Sequence, residues 1–274
     1  MLKSMYIGLA MSAVLAGSLT ARADIRTTIQ NATSGTTVTC SGTYTVTAKI
    51  TVPSGVTVSG GTFVFTTGSS ADGFYIPAAN HGVTLTGITV QGANHGIMIY
   101  GYGNTVNSCT AQYNYNSGIE IIGSSAKNNV IQYCVSKCNA DSSGGNADGF
   151  AAKNSSSTGN KFLYCDAHQD SDDGYDFYSA ASPIVVTGCK AYNNGYYNGY
   201  KGNGDGFKMG GSGYSASHTY TSCTAYSNTA GDTGDGFDSN NNGAKLYLTT
   251  CHSYSNKQAD RLVNCSLSNC TMQY

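Results

Sequence analysis

The sequence predicts an all-β, single-domain parallel β-helix, and three observations predict it. A cysteine-centred element recurs along the chain. The residues around each copy alternate with period two. Between the copies lie segments rich in Gly, Asn, Ser and Thr, with 35 Gly but only 3 Pro in 274 residues. Units that recur every few tens of residues mark solenoids, and period two marks strands. No sustained apolar stripe at helical spacing competes with this reading.

The first repeated element reads "SCTAQYN" (108–114), "YCVSKCN" (133–139), "YCDAHQD" (164–170), "GCKAYNN" (188–194), "SCTAYSN" (222–228) and "TCHSYSN" (250–256). Each copy has Cys, then Ala or Ser two positions on, then Asn or Asp five positions on. The second element follows downstream as "SGIE", "DGFA", "DGYD", "DGFK" and "DGFD", with Asp72-Gly73-Phe74 and His95-Gly96-Ile97 as earlier, weaker copies. The spacing between copies varies between about 22 and 34 residues, within the range of solenoid coils.

Stacking such coils about 4.8 Å apart turns each repeat position into a column. Cys109, Cys134, Cys165, Cys189, Cys223 and Cys251 form one inward column, and Phe150, Tyr175, Phe207 and Phe237 another. Asn114, Asn139, Asp170, Asn194, Asn228 and Asn256 form a turn column suited to an amide ladder. Tyr192 shares a column with His168, Tyr226 and Tyr254. Small, apolar thiols suit a narrow interior, so the column cysteines read as buried thiols, while Cys40, Cys138, Cys265 and Cys270 read as disulfide candidates. No two cysteines form a C-x-x-C pair of the kind zinc sites use.

Before the clear repeats, "KITVPSGVTVSGGTFVF" (49–65) alternates β-branched residues and turn signals, and should form the first coils. Asp24 to Ala32 reads as a short cap over the open end of the solenoid. Residues 1–23 read as a secretory signal peptide: Lys3, then an apolar run, then Ala21-Arg22-Ala23 as a cleavage site. The β-helix then runs from residue 24 to 274, without a linker, and outside the cell. No later stretch is apolar enough to span a membrane.

Charged residues make up 11% of the chain, against about 25% in ordinary domains. The net charge is −1. After residue 23 only Arg26 and Arg261 remain of the arginines. A basic nucleic-acid footprint is absent.

Against that sparse background, "SDDGYDFY" (171–178) places Asp172, Asp173 and Asp176 together. Column alignment brings Asp148 beside them, and puts Lys208 one coil from Asp176. Two carboxylates about 5 Å apart repel by roughly 3 kcal/mol at an effective dielectric of 20, so a cluster must hold protons or a cation. Hard oxygen donors without Cys or His favour Ca²⁺. A lone Asp-Gly is common turn chemistry, but turn chemistry does not account for Asp172 or Asp176.

"NADGFAAK" (146–153), "SDDGYDFY" (171–178), "CKAYNNG" (189–195) and "GDGFKMGG" (204–211) occur in an order and spacing that resemble the pectate lyases of polysaccharide lyase family nine. The resemblance is strongest over roughly 105–260. It implies a right-handed parallel β-helix that cleaves acidic plant cell-wall polysaccharide (pectate or pectin) by β-elimination. It implies Asp148, Asp172, Asp173 and Asp176 as Ca²⁺ ligands and Lys208 as the base that abstracts the C5 proton. Tyr175 stands where members of the family often carry Trp. Tyr175, Tyr178, Lys153, Lys201 and Asp205 are weaker substrate-binding candidates. The loop "GYYNGYKGNG" (195–204) is expected to wall the cleft.

Three other readings share these residues. A lyase of the same fold could act on rhamnogalacturonan. A hydrolase could use Asp172 and Asp173 as paired carboxylates, but the N-T-D, G-H-G and R-x-K segments of β-helical polygalacturonases are absent. A non-catalytic wall-binding β-helix could hold structural calcium. The expected partner is the polysaccharide, with no nucleic acid and no membrane, and the expected state is a monomer.

Overall fold

The computed structural model describes residues 25–156, 158–211 and 213–274. Residues 1–23, read as a signal peptide, and Asp24 lie outside the described residues. No helix among the described residues is long and apolar enough to cross a membrane.

The strands are two to four residues long and stack into three parallel sheets. The first sheet has 10 strands, from Thr37–Thr39 to Cys265–Ser268. The second has 9, from Thr43–Val46 to His252–Tyr254. The third has 8, from Ile50–Thr51 to Phe237–Asp238. A full coil contributes one strand to each, so the chain is a β-helix of three sheets around a single core. Helix α1, Ile25–Gln30, caps the N-terminal end. It buries Ile29, and Gln30 Oε1 accepts from the edge amide of Thr51 at 3.3 Å.

Alternation explains the core. Strand after strand in the first two sheets places its middle residue inward, as in Thr105–Asn107 and Thr110–Gln112. The Phe150, Tyr175, Phe207 and Phe237 rings stack at 5.0, 4.7 and 4.8 Å between centroids. On the outer face of the second sheet, His168, Tyr192, Tyr226 and Tyr254 stack at 4.8, 4.8 and 5.4 Å.

The corners have a local cause. The residue before each column cysteine is left-handed, as at Ser108, Tyr133, Tyr164 and Ser222, and so is the residue before each ladder Asn or Asp, as at Tyr113, Gln169, Asn193 and Ser227. A non-Gly residue there costs roughly 1–2 kcal/mol. Ladder hydrogen bonds offset that cost. The side-chain oxygen of each Asn or Asp accepts from the backbone of the preceding coil: Asn114 N to Asn139 at 3.0 Å, Asn139 N to Asp170 at 3.0 Å, Asn194 N to Asn228 at 3.1 Å. A second ladder, Asn104–Asn129–Asn160, lines another corner. Sequence reasoning missed it, because it falls outside the cysteine element.

Two expectations change. All ten cysteines are free thiols. Cys40 and Cys138 are buried on different coils, and Cys270 joins the column, accepting from Cys251 N at 3.4 Å. The loop at 195–204 contains an antiparallel hairpin, Tyr196–Tyr197 with Tyr200–Lys201. Asn198 and Gly199 both have positive φ, which matches the tight turn that Asn-Gly favours.

Candidate metal and active site

The third sheet carries the acidic residues. Its pairing runs Glu120, Ala151, Asp176, Lys208 and Asp238 in register, one residue per coil. Three positions earlier, Asp148, Asp173, Asp205 and Asp235 stack as well. The amide of Asp205 donates to Asp173 Oδ1 at 2.8 Å, and that of Asp235 to Asp205 Oδ1 at 3.0 Å. The glycine after each Asp is required by close approach. A Cβ on Gly149 or Gly174 would lie 2.7 Å from the carbonyl oxygen of the next coil, and one on Gly206 would lie 2.6 Å away.

Asp148, Asp173 and Asp176 each offer a carboxylate oxygen, and these atoms lie within 4.8 Å of one another. All three are buried. Two ammonium groups meet them. Lys153 Nζ lies 2.6 Å from Asp148 Oδ2 and 2.9 Å from Asp176 Oδ2. Lys208 Nζ lies 3.0 Å from Asp173 Oδ2 and 3.7 Å from Asp176 Oδ2.

Asp172 is buried beside Asp173 but turns elsewhere. Its Oδ1 accepts from Asn203 N at 2.8 Å, so it ties the chain after the hairpin to the site. The structure therefore converges three of the four acidic candidates and directs the fourth at a neighbouring loop.

Burial raises the pKa of Asp148, and Asp176 and Asp173 add to it against the pull of Lys153. Burial likewise raises Asp173, opposed by Lys208, and raises Asp172, with help from Asp173 and Asp148. Burial would lower Lys208, but Asp173, Asp176, Asp172 and Asp148 outweigh it and hold the ammonium charged. These shifts share one origin. Three carboxylates meet two ammonium groups, with a fourth, Asp172, buried alongside, so acid outnumbers base in a low-dielectric site. The donor set is all hard oxygen, and acid outnumbers base; both fit Ca²⁺.

The other candidates separate clearly. Tyr175 is fully buried between Phe150 and Phe207, and its hydroxyl donates to Cys165 O at 2.7 Å. Its ring cannot face a sugar, and it leaves the substrate-binding set. Asp205 is also fully buried, held by Thr233 and Asp235 N, and makes no surface contact. Tyr178 is exposed, with its amide on Asp176 Oδ1 at 2.9 Å. Lys201 pairs with Asp232 at 2.6 Å at the surface. Lys153 proves to be part of the acid cluster. The signal was available: it follows Ala151 by two positions on one strand and so shares its face.

A three-sheet parallel β-helix with a buried oxygen-donor cluster and a lysine one coil away defines the class of protein. The chain belongs to the Pel9A-like right-handed β-helix family, whose model matches residues 5–269. It is 33% identical over 163 residues to pectate lyase L of Dickeya dadantii, covering 58% of this chain and 37% of that protein. It is 36% identical over 161 residues to pectate lyase L of Thermoclostridium stercorarium, covering 53% of this chain and 13% of that one. The chain thus spans well under half the length of these relatives. The crystal structure of pectate lyase Pel9A superposes with a TM-score of 0.78 at 26% identity, covering 91% of this chain and 73% of that one.

Proposed function

We propose that the chain is a secreted, calcium-dependent pectate lyase that cleaves acidic plant cell-wall polysaccharide by β-elimination. The observation that carries this reading is the position of Lys208, whose Nζ lies 3.0 Å from Asp173 in register beside Asp176. The pectate lyase names of the relatives support the substrate class.

Asp148, Asp173 and Asp176 would hold the ion, with Asp172 beside them. When bound, calcium supplies Lewis-acid neutralisation of a uronate carboxylate, which makes the adjacent C5 proton acidic. Lys208 takes that proton, and the electron pair forms the C4–C5 double bond as the O4 group departs. A base must be neutral to act. The four carboxylates keep Lys208 charged. Once a bound cation compensates them, burial remains, and burial lowers a lysine pKa. The cluster thus serves both to hold the ion and to set the protonation of Lys208.

The test is the ultraviolet absorbance of the unsaturated product on polygalacturonate, with and without a chelator. Absorbance that vanishes with chelation and returns with added Ca²⁺ is expected. Reducing ends produced without absorbance would identify a hydrolase, and no product at all a binding protein. A rhamnogalacturonan substrate run in parallel separates the two lyase readings.

A further inference from the structure

The third sheet repeats its acidic layout two coils further on. Asp205, Asp235 and Asp238 each offer a carboxylate oxygen, and these atoms lie within 4.8 Å of one another. All three are buried to within 2% exposure. Asp235-Gly236-Phe237-Asp238 follows the same spacing as Asp173-Gly174-Tyr175-Asp176. As Lys208 pairs with Asp176 on the next coil, Arg261 bridges Asp238 on the next coil.

Arg261 does not satisfy this cluster. Its Nε and Nη2 donate to Asp235 Oδ2 and Asp238 Oδ2. Asp205 Oδ2 and Asp235 Oδ1 are buried with no hydrogen-bond partner. Two carboxylate oxygens abandoned in a dry interior are costly, and they are not the oxygens Arg261 uses. Three carboxylates against one guanidinium leave two uncompensated negative charges.

We propose that Asp205, Asp235 and Asp238 form a second divalent-cation site, with Asp205 Oδ2 and Asp235 Oδ1 as its free donors and Ca²⁺ as its ion. The donors are again all hard oxygen. Arg261, whose side chain is half exposed, reaches the cluster from solvent and tempers its affinity by charge. Because Asp238 pairs with Lys208 in register, the two ions flank Lys208 on one sheet. A consequence for a polyuronate chain, a second point of carboxylate attachment, rests on the lyase reading; the metal site itself does not.

Calcium titration calorimetry on the full chain decides the matter. Two equivalents are expected for the native protein. Asp205→Asn with Asp235→Asn should leave one, and Asp173→Asn should leave the other. An Asp205/Asp235 variant that keeps every equivalent the native protein binds overturns the proposal. If Asp173→Asn changes nothing while the Asp205/Asp235 variant loses an equivalent, the second site stands and the first fails. Should circular dichroism show the double variant unfolded, Arg261→Gln decides alone. It should tighten the weaker equivalent at least tenfold and leave the other unchanged; no change in either overturns the site.

Discussion

Lys208 and Asp176 are partners on adjacent parallel strands, yet the ammonium of Lys208 sits nearer Asp173, at 3.0 Å, than Asp176, at 3.7 Å. Lys153 takes the far side of Asp176, at 2.9 Å. Asp176 is thus bracketed by two lysines from different coils. Lys208 stands one coil further along the sheet, with its ammonium on Asp173. Lys153 reaches the same cluster from the preceding coil, with its ammonium on Asp148 and Asp176.

Removal of the base should separate chemistry from metal binding. Lys208→Ala is expected to lower the rate of unsaturated product formation by at least about 10²-fold, the usual scale of general-base loss. Calorimetry should still detect calcium at the Asp148 cluster. Retained activity would remove Lys208 from the mechanism.

Lys153 should compete with the ion. Its ammonium occupies Asp148 Oδ2 and Asp176 Oδ2, the oxygens a cation would approach. Lys153→Gln is expected to tighten calcium binding by about tenfold, since a like charge a few ångströms away opposes the ion. Unchanged or weaker affinity would show that Lys153 supports the bound state instead.

Asp170 interrupts an asparagine ladder. It accepts from Asn139, and its own amide donates to Asn194 Oδ1, but its Oδ2 is buried without a partner. Burial first, then Asp148, raise its pKa well above the ordinary value, against the hydrogen bonds from Asn139. An acid raised on folding binds more protons in the folded state, so stability falls as pH rises through that window. Asp170→Asn restores a donor and removes the charge. It should stabilise the protein by about 1–3 kcal/mol at neutral pH, and by less near pH 4. Urea unfolding at the two pH values checks both parts, and a destabilised variant at neutral pH would refute the account.

His218 should make the fold acid-sensitive. It is buried, and its Nδ1 accepts from Ile184 N at 3.1 Å. Burial pushes its pKa down to about 4. The unfolded chain, near 6.5, therefore binds a proton that the folded chain refuses. The stabilisation is complete above pH 6.5 and is lost as pH falls toward 4. The loss is about 3 kcal/mol. His218→Gln should flatten that slope in urea titrations; an unchanged slope would place the acid sensitivity elsewhere.

Much of this was legible in the sequence because a solenoid maps repeat position onto space. The cysteine element predicted the Cys109–Cys251 column and the Asn114–Asn256 ladder, and the second element predicted the aromatic stack and the Asp176–Lys208 register. Each follows from period two within a strand and one repeat per coil. The Asn198-Gly199 hairpin was also written in plain turn chemistry, although repeat counting treated it as a loop.

The sequence by itself determined the architecture, the rows and the neighbours within each row, since these depend only on backbone spacing and alternation. Tertiary structure alone decided where side-chain ends point. It sank Tyr175 into the core, turned Asp172 toward Asn203, seated Lys153 between Asp148 and Asp176, and brought Arg261 to Asp235 and Asp238. Those outcomes depend on rotamers, and rotamers answer to packing and charge from coils that no single strand contains.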